Sequence, residues 1–105
     1  MISNYFRNMP RHYCYIIYSP TLDSYYIGQA VDSHVRLIEH NEGKYNKSYT
    51  KKVSDWEHYI SIECSSKTQA IKIESFIKRM KSKKFIERMK YDQQIIKDIL
   101  ERFNQ

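Results

Sequence analysis

Glycine, proline and cysteine are scarce in this chain, which has two of each among its 105 residues. So few glycines and prolines exclude a collagen-like or low-complexity chain, and two cysteines exclude a disulfide scaffold. No apolar run approaches the roughly 20 residues that span a membrane, and residues 1–11 lack the apolar core of a secretion signal. We therefore expect one cytoplasmic domain in which Cys14 and Cys64 are reduced and buried rather than paired.

Two β-rich runs, at residues 13–19 and 25–30, flank five residues that contain Pro, Asp and Ser. This pattern predicts a hairpin. Side chains alternate along a strand, so Tyr13, Tyr15 and Ile17 share one face of the first strand. In the second strand, Tyr26 and Gly28 share a face. The sequence leaves the register open, and with it whether Tyr15 and Tyr26 meet. Gly28 inside a strand indicates a bulge or a close approach of the backbone, and a bulge is the simpler interpretation.

The remaining elements follow from capping residues and periodicity. A helix begins at Asp32 or Ser33 and is capped by Gly43, a loop covers residues 44–55, and a third strand covers 56–64. A capping box at 66–69 starts a second helix, followed by a break near 81–84, a short helical piece at 85–90 and a last helix at about 92–103. The order predicts an α+β domain over residues 13–105, with three antiparallel strands flanked by helices, after a polar leader over residues 1–12.

Apolar spacing predicts which positions face the core. The first helix is expected to bury Val35 and Ile38, at helical spacing. Strand alternation puts Trp56, His58, Ile60 and Ile62 on one face, with His58 a packing residue rather than a ligand. The second helix carries a stripe of Ala70, Ile73, Ile77 and Met80.

The net charge of +6 is concentrated in two clusters. The first contains Lys44, Lys47, Lys51 and Lys52, and the second contains Lys78, Arg79, Lys81, Lys83, Lys84, Arg88 and Lys90. A solvated lysine-rich helix face explains one such cluster, but two clusters that each follow candidate site residues favour a nucleic-acid partner. A protein partner is the third interpretation, and it predicts weak DNA binding with no steep loss as salt rises.

Three polar residues on helices have both a structural and a functional interpretation. Arg36 and His40 are four residues apart and share a helix flank, which either faces solvent or borders a cleft with the strand tyrosines. Glu74 lies at the margin of the second helix's apolar stripe, where a carboxylate needs a partner. That partner is either Lys78, one turn on, or a divalent metal ion.

Taken together, these residues resemble the GIY-YIG nuclease family. Tyr26-Ile27-Gly28, eleven residues after Tyr15, matches the second motif letter for letter. Tyr13-Cys14-Tyr15 is a variant of the first motif, with Tyr and Cys in place of Gly and Ile. The resemblance extends through residues 46–50 to Glu74, and is strongest to small stand-alone bacterial members, which often have Tyr-Val-Tyr there.

The resemblance implies a metal-dependent DNA endonuclease. Tyr15 would act as the base for water, Arg36 would bind phosphate oxygens, and Tyr26 would position water or phosphate. His40 would relay a proton or contact phosphate. Glu74 matches the family's metal-binding Glu and would hold one divalent ion, Mg²⁺ or alternatively Mn²⁺.

The expected substrate is duplex or branched DNA, selected by shape rather than by base sequence. Expected DNA contacts are Lys44, Lys47, Tyr49, Lys51, Lys78 and Lys81. A monomer is expected, with a dimer as the alternative. Many family members have a further Asn after the metal-binding Glu, and here Asn104, near the terminus, is the only Asn after Glu74. An inactive nucleic-acid-binding module is therefore the alternative function.

Overall fold

The computed structural model describes residues 11–44 and 49–104. The elements in order are β1 (His12–Ser19), β2 (Ser24–Ala30), α1 (Ser33–Asn41), a 3₁₀ turn (Tyr49–Lys52), β3 (Glu57–Cys64), α2 (Lys67–Met80), α3 (Lys83–Tyr91) and α4 (Gln93–Arg102). The three strands form one antiparallel sheet in the order β2-β1-β3, which confirms the predicted α+β class. Strand β1 begins one residue inside the predicted leader, and residues 1–10 lie outside the described residues.

The sheet buries side chains on both of its faces. The face that we call the broad face is covered by helices α2, α3 and α4, and it contributes Cys14, Ile16, Ile27, Ile60, Ile62 and Cys64 to the larger core cluster. The opposite face, which we call the α1 face, carries a smaller cluster of Tyr15, Ile17, Ala30 and Trp56, with Leu37 packed against it. Because β1 is the central strand and is covered on both sides, Cys14 to Ile17 are all buried.

A β-bulge divides β3 between the two faces. Ile16 pairs with Ile60, but Ile17 pairs with His58, so β3 has one extra residue at this point. Such an insertion reverses which side each earlier residue faces. Trp56 therefore packs on the α1 face although Ile60 lies on the broad face, and His58 is exposed. The prediction of one shared face, with His58 packed, is wrong for this reason.

Helix α1 has the predicted boundaries. The Asp32 side chain is the N-cap and accepts hydrogen bonds from the backbone of His34 and Val35, at 3.0 and 3.1 Å. Beyond the C-terminus, Gly43 adopts φ +71°, as predicted for a left-handed cap. Its N–H donates to the carbonyl of His40, while Lys44 donates to that of Glu39, both at 3.1 Å. This pattern is a Schellman motif, and it fixes the chain direction just after His40.

The buried side of α1 differs from the prediction. Val35 and Ile38 are each 46 % exposed, whereas Leu37 packs on the α1 face and His40 is 1 % exposed. A polar side chain can replace apolar ones at the sheet when its hydrogen bonds are satisfied there. The helix is thus oriented by Leu37 and His40 rather than by Val35 and Ile38.

Helix α2 begins with Ser66, whose hydroxyl accepts from the backbone of Gln69 at 3.1 Å. The Gln69 side chain accepts from the backbone of Ser65 instead of completing the reciprocal bond, and its amide donates to the carbonyls of Leu100 and Phe103, at 3.3 and 3.2 Å. Gln69 therefore joins the start of α2 to the end of α4.

The predicted stripe of α2 is largely found. Ala70, Ile73 and Ile77 are buried, whereas Met80 is 42 % exposed because the helix ends beside it, at Lys81 in a left-handed conformation with φ 48°. Among the helices of the described residues, none has the length and apolar character needed to cross a membrane.

Cys14 and Cys64 lie on the broad face as buried, free thiols. Burial raises the pKa of both groups. Both thiols are therefore protonated at neutral pH, and we assign them to packing rather than to chemistry.

Candidate active site

The α1 face brings together three of the five residues that were predicted to be catalytic or metal-binding. Tyr15 pairs with Gly28 and Ile17 pairs with Tyr26, so the two tyrosines are diagonal neighbours on one face. Their ring centroids are 6.5 Å apart. His40 approaches from α1, with its ring centroid 6.0 Å from that of Tyr15 and 4.9 Å from that of Tyr26. The register that the sequence left open therefore places both tyrosines against the histidine.

A short line of buried hydrogen bonds passes through His40. The hydroxyl oxygen of Tyr15 lies 2.8 Å from Nε2 of His40, and Nδ1 of His40 lies 2.6 Å from Oγ1 of Thr50. Tyr15 is 3 % exposed, His40 1 % and Thr50 0 %. Both ring nitrogens thus have a partner away from water, as a buried imidazole requires.

Trp56 and Asn41 brace this line. The indole N–H of Trp56 donates to the carbonyl of Thr50 at 2.9 Å. The backbone N–H of Trp56 donates to Oδ1 of Asn41 at 2.7 Å, and Nδ2 of Asn41 donates to the carbonyl of Trp56 at 2.9 Å. Because Asn41 follows His40 in α1, these contacts close a ring through His40, Thr50, Trp56 and Asn41.

Sequence reasoning missed Thr50 and Asn41 as parts of the site. Thr50 lies within the segment 46–50 that carries part of the family resemblance, which is the one available signal for it. Nothing in the sequence distinguishes Asn41 from other helix-end residues. Trp56 was assigned to the core and is indeed buried, at 3 % exposure, but its polar atoms support the site.

Gly28 provides space for Tyr15. The predicted bulge at Gly28 is wrong, because β2 pairs with β1 in unbroken register. A Cβ atom at Gly28 would lie 2.5 Å from the hydroxyl oxygen of Tyr15 and 2.6 Å from its Cζ. The ring of Tyr15 therefore lies directly over the glycine, and the second interpretation of a strand glycine, close approach, is the one observed.

We expect Gly28→Ala to displace the Tyr15 ring and break its hydrogen bond to His40. Forcing a methyl group into a packed site costs about 1–3 kcal/mol of unfolding free energy. The measurement is urea unfolding of Gly28→Ala in the natural and in the Tyr15→Ala background. Without the ring, the substitution should be neutral or stabilising, because alanine restricts the unfolded chain. An equal loss in both backgrounds would show that the Tyr15 ring is not the cause.

The pKa values of Tyr15 and His40 are moved apart. Burial raises the pKa of the Tyr15 phenol, with Tyr26 adding to the effect and the charge of Arg36 opposing it. Burial lowers the pKa of His40 to about 4, and Arg36 adds to that shift. At neutral pH the phenol is therefore protonated and the imidazole is neutral. The hydrogen-bond partner of the protonated phenol is thus a neutral imidazole.

The lowered pKa of His40 predicts a loss of stability in mild acid. Between pH 6.5, its ordinary pKa, and about 4, the unfolded chain binds a proton that the folded protein does not. The unfolding free energy should therefore fall by up to about 3 kcal/mol as pH falls across this window, with no contribution from His40 above it. Urea unfolding at pH 7 and pH 4.5 measures this change. His40→Gln should show a clearly smaller dependence, and equal dependences would contradict the assignment.

Arg36 lies one turn before His40 on α1. Its guanidinium contacts Glu39 at 3.3 Å, and its side chain is 41 % exposed. It lines an open pocket of about 300 Å³ together with Ala30, Val31, Asp32, Val35 and Glu39. Arg36 is therefore accessible to solvent, and its positive charge acts on the buried side chains of Tyr15 and His40.

Glu74 lies on α2, the helix that packs on the broad face. Its Oε2 atom is 2.6 Å from Nζ of Lys78, so of its two predicted partners the lysine is the one present. The side chain is 19 % exposed, and its negative charge contributes to the raised pKa values of Tyr15 and Cys14. Glu74 is thus within electrostatic range of Tyr15.

The donor set is compatible with a hydrated hard cation. Within residues 11–44 and 49–104 there is no group of three His, Cys, Asp or Glu side chains that could enclose a metal. Mg²⁺ keeps several waters and is usually bound by one or two carboxylates together with substrate phosphates. A single carboxylate such as Glu74 therefore fits Mg²⁺ but not a zinc-type site.

The predicted DNA contacts are only partly described. Lys44, Lys78 and Lys81 are exposed, and Lys44 forms an ion pair with Glu42 at 3.2 Å. Tyr49 and Lys51 lie in the 3₁₀ turn, and Lys47 lies outside the described residues. Their contacts with DNA stay predictions.

The second basic cluster has local partners of its own. Lys83 forms an ion pair with Asp23 at 3.1 Å, and Nζ of Lys90 lies 4.7 Å from the centroid of the Tyr59 ring. Both lysines are on α3, which packs on the broad face through Ile86 and Met89. This part of the cluster lies on the opposite side of the sheet from Tyr15 and His40.

The family model for the GIY-YIG catalytic domain matches residues 11–92 of this chain. The chain belongs to the GIY-YIG family. No curated protein and no solved structure gives a significant match. The matched range contains all five predicted catalytic and metal-binding residues, from Tyr15 to Glu74. This GIY-YIG chain therefore carries a nuclease-type domain. Nucleases are enzymes whose substrates are nucleic acids.

Proposed function

We propose that this GIY-YIG chain is a metal-dependent DNA endonuclease that hydrolyses phosphodiester bonds. The observation that carries the proposal is the 2.8 Å contact between the buried hydroxyl of Tyr15 and Nε2 of a neutral His40. It supplies a proton acceptor next to a phenol, and the positive charge of Arg36, one turn before His40, acts on both groups. Tyr15, Tyr26, Arg36 and His40 are the proposed catalytic residues.

The proposed chemistry begins with proton transfer from water. Tyr15 gives its proton to Nε2 of His40 while its oxygen accepts a proton from the attacking water. The water oxygen bonds to phosphorus as the bond from phosphorus to the leaving sugar oxygen breaks. The leaving oxygen takes a proton from solvent, and the imidazolium of His40 returns its proton to solvent.

This transfer needs positive charge near the phenol. The pKa of His40, about 4, lies far below the raised pKa of Tyr15, so the pair is not ionised in the free protein. Arg36 already acts to lower the pKa of Tyr15. A divalent ion held by Glu74 would add positive charge to the site and would act on Tyr15 in the same direction as Arg36.

Arg36 and Tyr26 hold the phosphate in this proposal. The planar guanidinium presents parallel N–H donors that match two phosphate oxygens. The guanidinium forms a partly exposed ion pair with Glu39, and such pairs contribute only about 0–1 kcal/mol to stability. Loss of this one contact to a phosphate would therefore cost little. Tyr26 is half-buried beside His40, and in this proposal it would orient the water or a phosphate oxygen.

Glu74 is the proposed ligand of one Mg²⁺ or Mn²⁺ ion. When bound, such an ion offsets negative charge on the phosphate and makes a coordinated water more acidic. Glu74 would exchange its contact with Lys78 for the ion, at a small cost because exposed helical pairs contribute only about 0.2–0.5 kcal/mol.

The proposed substrate is duplex or branched DNA, recognised by its shape. Lys44, Lys47, Tyr49, Lys51, Lys78 and Lys81 would contact the DNA backbone, since these residue types bind phosphates without reading bases. Selection would then depend on how readily a DNA structure deforms to reach the site. We propose a monomer that acts in the cytoplasm.

The first test is cleavage of labelled duplex, flap and branched DNA with Mg²⁺, with Mn²⁺ and with a chelator. We expect cleavage with a divalent ion, loss with the chelator, and a preference for one structure. Equal cleavage of all three would contradict structure selectivity. DNA binding without cleavage under either metal would favour an inactive binding module, for which the family's Asn after the metal ligand is the first missing residue to examine.

A further inference from the structure

We propose that Thr50 is a positioning residue that fixes the tautomer of His40. Its hydroxyl oxygen accepts the proton on Nδ1 of His40, which leaves Nε2 without a proton and able to accept from the hydroxyl of Tyr15. The tautomer is a property of the free protein. Its consequence for cleavage rests on the proposed function.

Only two polarities suit a neutral imidazole between two hydroxyl groups. In the first, Tyr15 donates to Nε2 and Nδ1 donates to Thr50. In the second, Thr50 donates to Nδ1 and Nε2 donates to the oxygen of Tyr15. Only the first leaves Tyr15 a base to which it can pass its proton, so the choice between them decides what Tyr15 can do.

The chemistry of the two hydroxyl groups favours the first polarity. A phenol is far more acidic than an aliphatic alcohol and is the stronger hydrogen-bond donor, whereas the alcohol oxygen is the better acceptor. The positive charge of Arg36 acts to stabilise negative charge on the Tyr15 oxygen, which further favours donation from that oxygen. The low pKa of His40 agrees with a ring that carries one proton rather than two.

The surroundings hold Thr50 in place for this role. Its side chain is completely buried, its Oγ1 is 2.6 Å from Nδ1, and its carbonyl is anchored by the Trp56 indole. Trp56 is in turn held by Asn41, the residue after His40. The acceptor and the histidine are therefore fixed relative to each other, and removing the hydroxyl would leave an Nδ1–H buried without this acceptor.

Nitrogen NMR of the imidazole rings tests the proposal directly. Long-range ¹H–¹⁵N spectra at pH 7 report which ring nitrogen carries the proton, and a His40→Gln spectrum identifies the His40 signals among those of the four histidines. We expect the proton on Nδ1 in the natural protein and in Thr50→Ser. In Thr50→Val, which keeps the size of the side chain, we expect the proton to move to Nε2. Trp56 fluorescence and thermal unfolding show whether each variant is folded.

Cleavage supplies the second arm. Thr50→Val should cleave about 10- to 100-fold more slowly, the range seen when the hydrogen-bond partner that orients a metal-bound histidine is removed, and Thr50→Ser should restore most of the rate. A natural protein with its proton on Nε2, or a folded Thr50→Val with an unchanged tautomer, would overturn the proposal. If the natural protein shows the expected tautomer but cleaves no DNA, the proposed function fails while the role of Thr50 stands.

Discussion

Tyr15→Phe should reduce DNA cleavage about 10²- to 10⁴-fold, the range over which general acid–base groups contribute. The substitution removes one oxygen atom, and with it both the proton passed to His40 and the base for water. The ring remains over Gly28, so the α1 face keeps its packing. The measurement is the single-turnover rate on the best DNA substrate, with DNA affinity determined separately.

Two controls distinguish lost chemistry from lost structure. Tyr15→Phe leaves Nε2 of His40 without its partner, which costs about 1–3 kcal/mol of unfolding free energy but should leave the protein folded. Tyr18→Phe removes a phenol of the same strand, one that donates to Asp23 in the exposed hairpin turn, and this variant should cleave at the natural rate. A folded Tyr15→Phe that retains more than about a tenth of the natural rate would exclude Tyr15 as the base.

The hairpin illustrates what the sequence could predict. The period-2 pattern of residues 13–19 and 25–30 identified the two strands and correctly grouped Tyr15 with Ile17 and Tyr26 with Gly28. Caps at Asp32, Gly43 and Ser66 are set by local backbone chemistry, so they too were readable from the sequence. Local signals of this kind do not depend on what packs against the segment.

The predictions failed where distant contacts decide the outcome. The bulge that turns Trp56 to the α1 face depends on how β1 and β3 pair, which no local pattern of β3 reveals. The orientation of α1 follows from the partners of His40, one of which is 25 residues away in sequence. Apolar spacing pointed to Val35 and Ile38, because the spacing of apolar residues contains no information about a buried histidine whose two nitrogens are hydrogen-bonded.

The candidate site likewise contains residues that the sequence predicted and residues that it did not. The family resemblance, carried by their types and order, identified Tyr15, Tyr26 and His40, and the fold brings these three side chains together. Thr50 could not be recognised, because its role depends on one hydrogen bond to His40 across ten residues. The glycine of the second motif was noticed, but its function required knowing which residue lies opposite it. Strand register supplied that residue, Tyr15.

Glu74→Gln should lower the cleavage rate at least about 100-fold at a fixed Mg²⁺ concentration, because a bound metal ion stabilises the negative charge of the transition state by several kcal/mol. The amide keeps the size of the side chain but is a poor ligand for a hard cation. The ion pair that the variant loses, between Glu74 and Lys78, contributes only about 0.2–0.5 kcal/mol to the helix. The variant should therefore unfold at nearly the same denaturant concentration as the natural protein. A large loss of rate at constant stability would then reflect chemistry.

A metal titration decides between the two interpretations of this carboxylate. If Glu74 binds the ion, Glu74→Gln should require a much higher Mg²⁺ concentration for the same rate, while its affinity for DNA in a chelator stays unchanged. Asp98→Asn is the matched control, because it neutralises an exposed helical carboxylate that pairs one turn away, with Gln94 at 2.8 Å, on α4. If Glu74→Gln and Asp98→Asn gave the same Mg²⁺ dependence as the natural protein, Glu74 would be only the helical partner of Lys78.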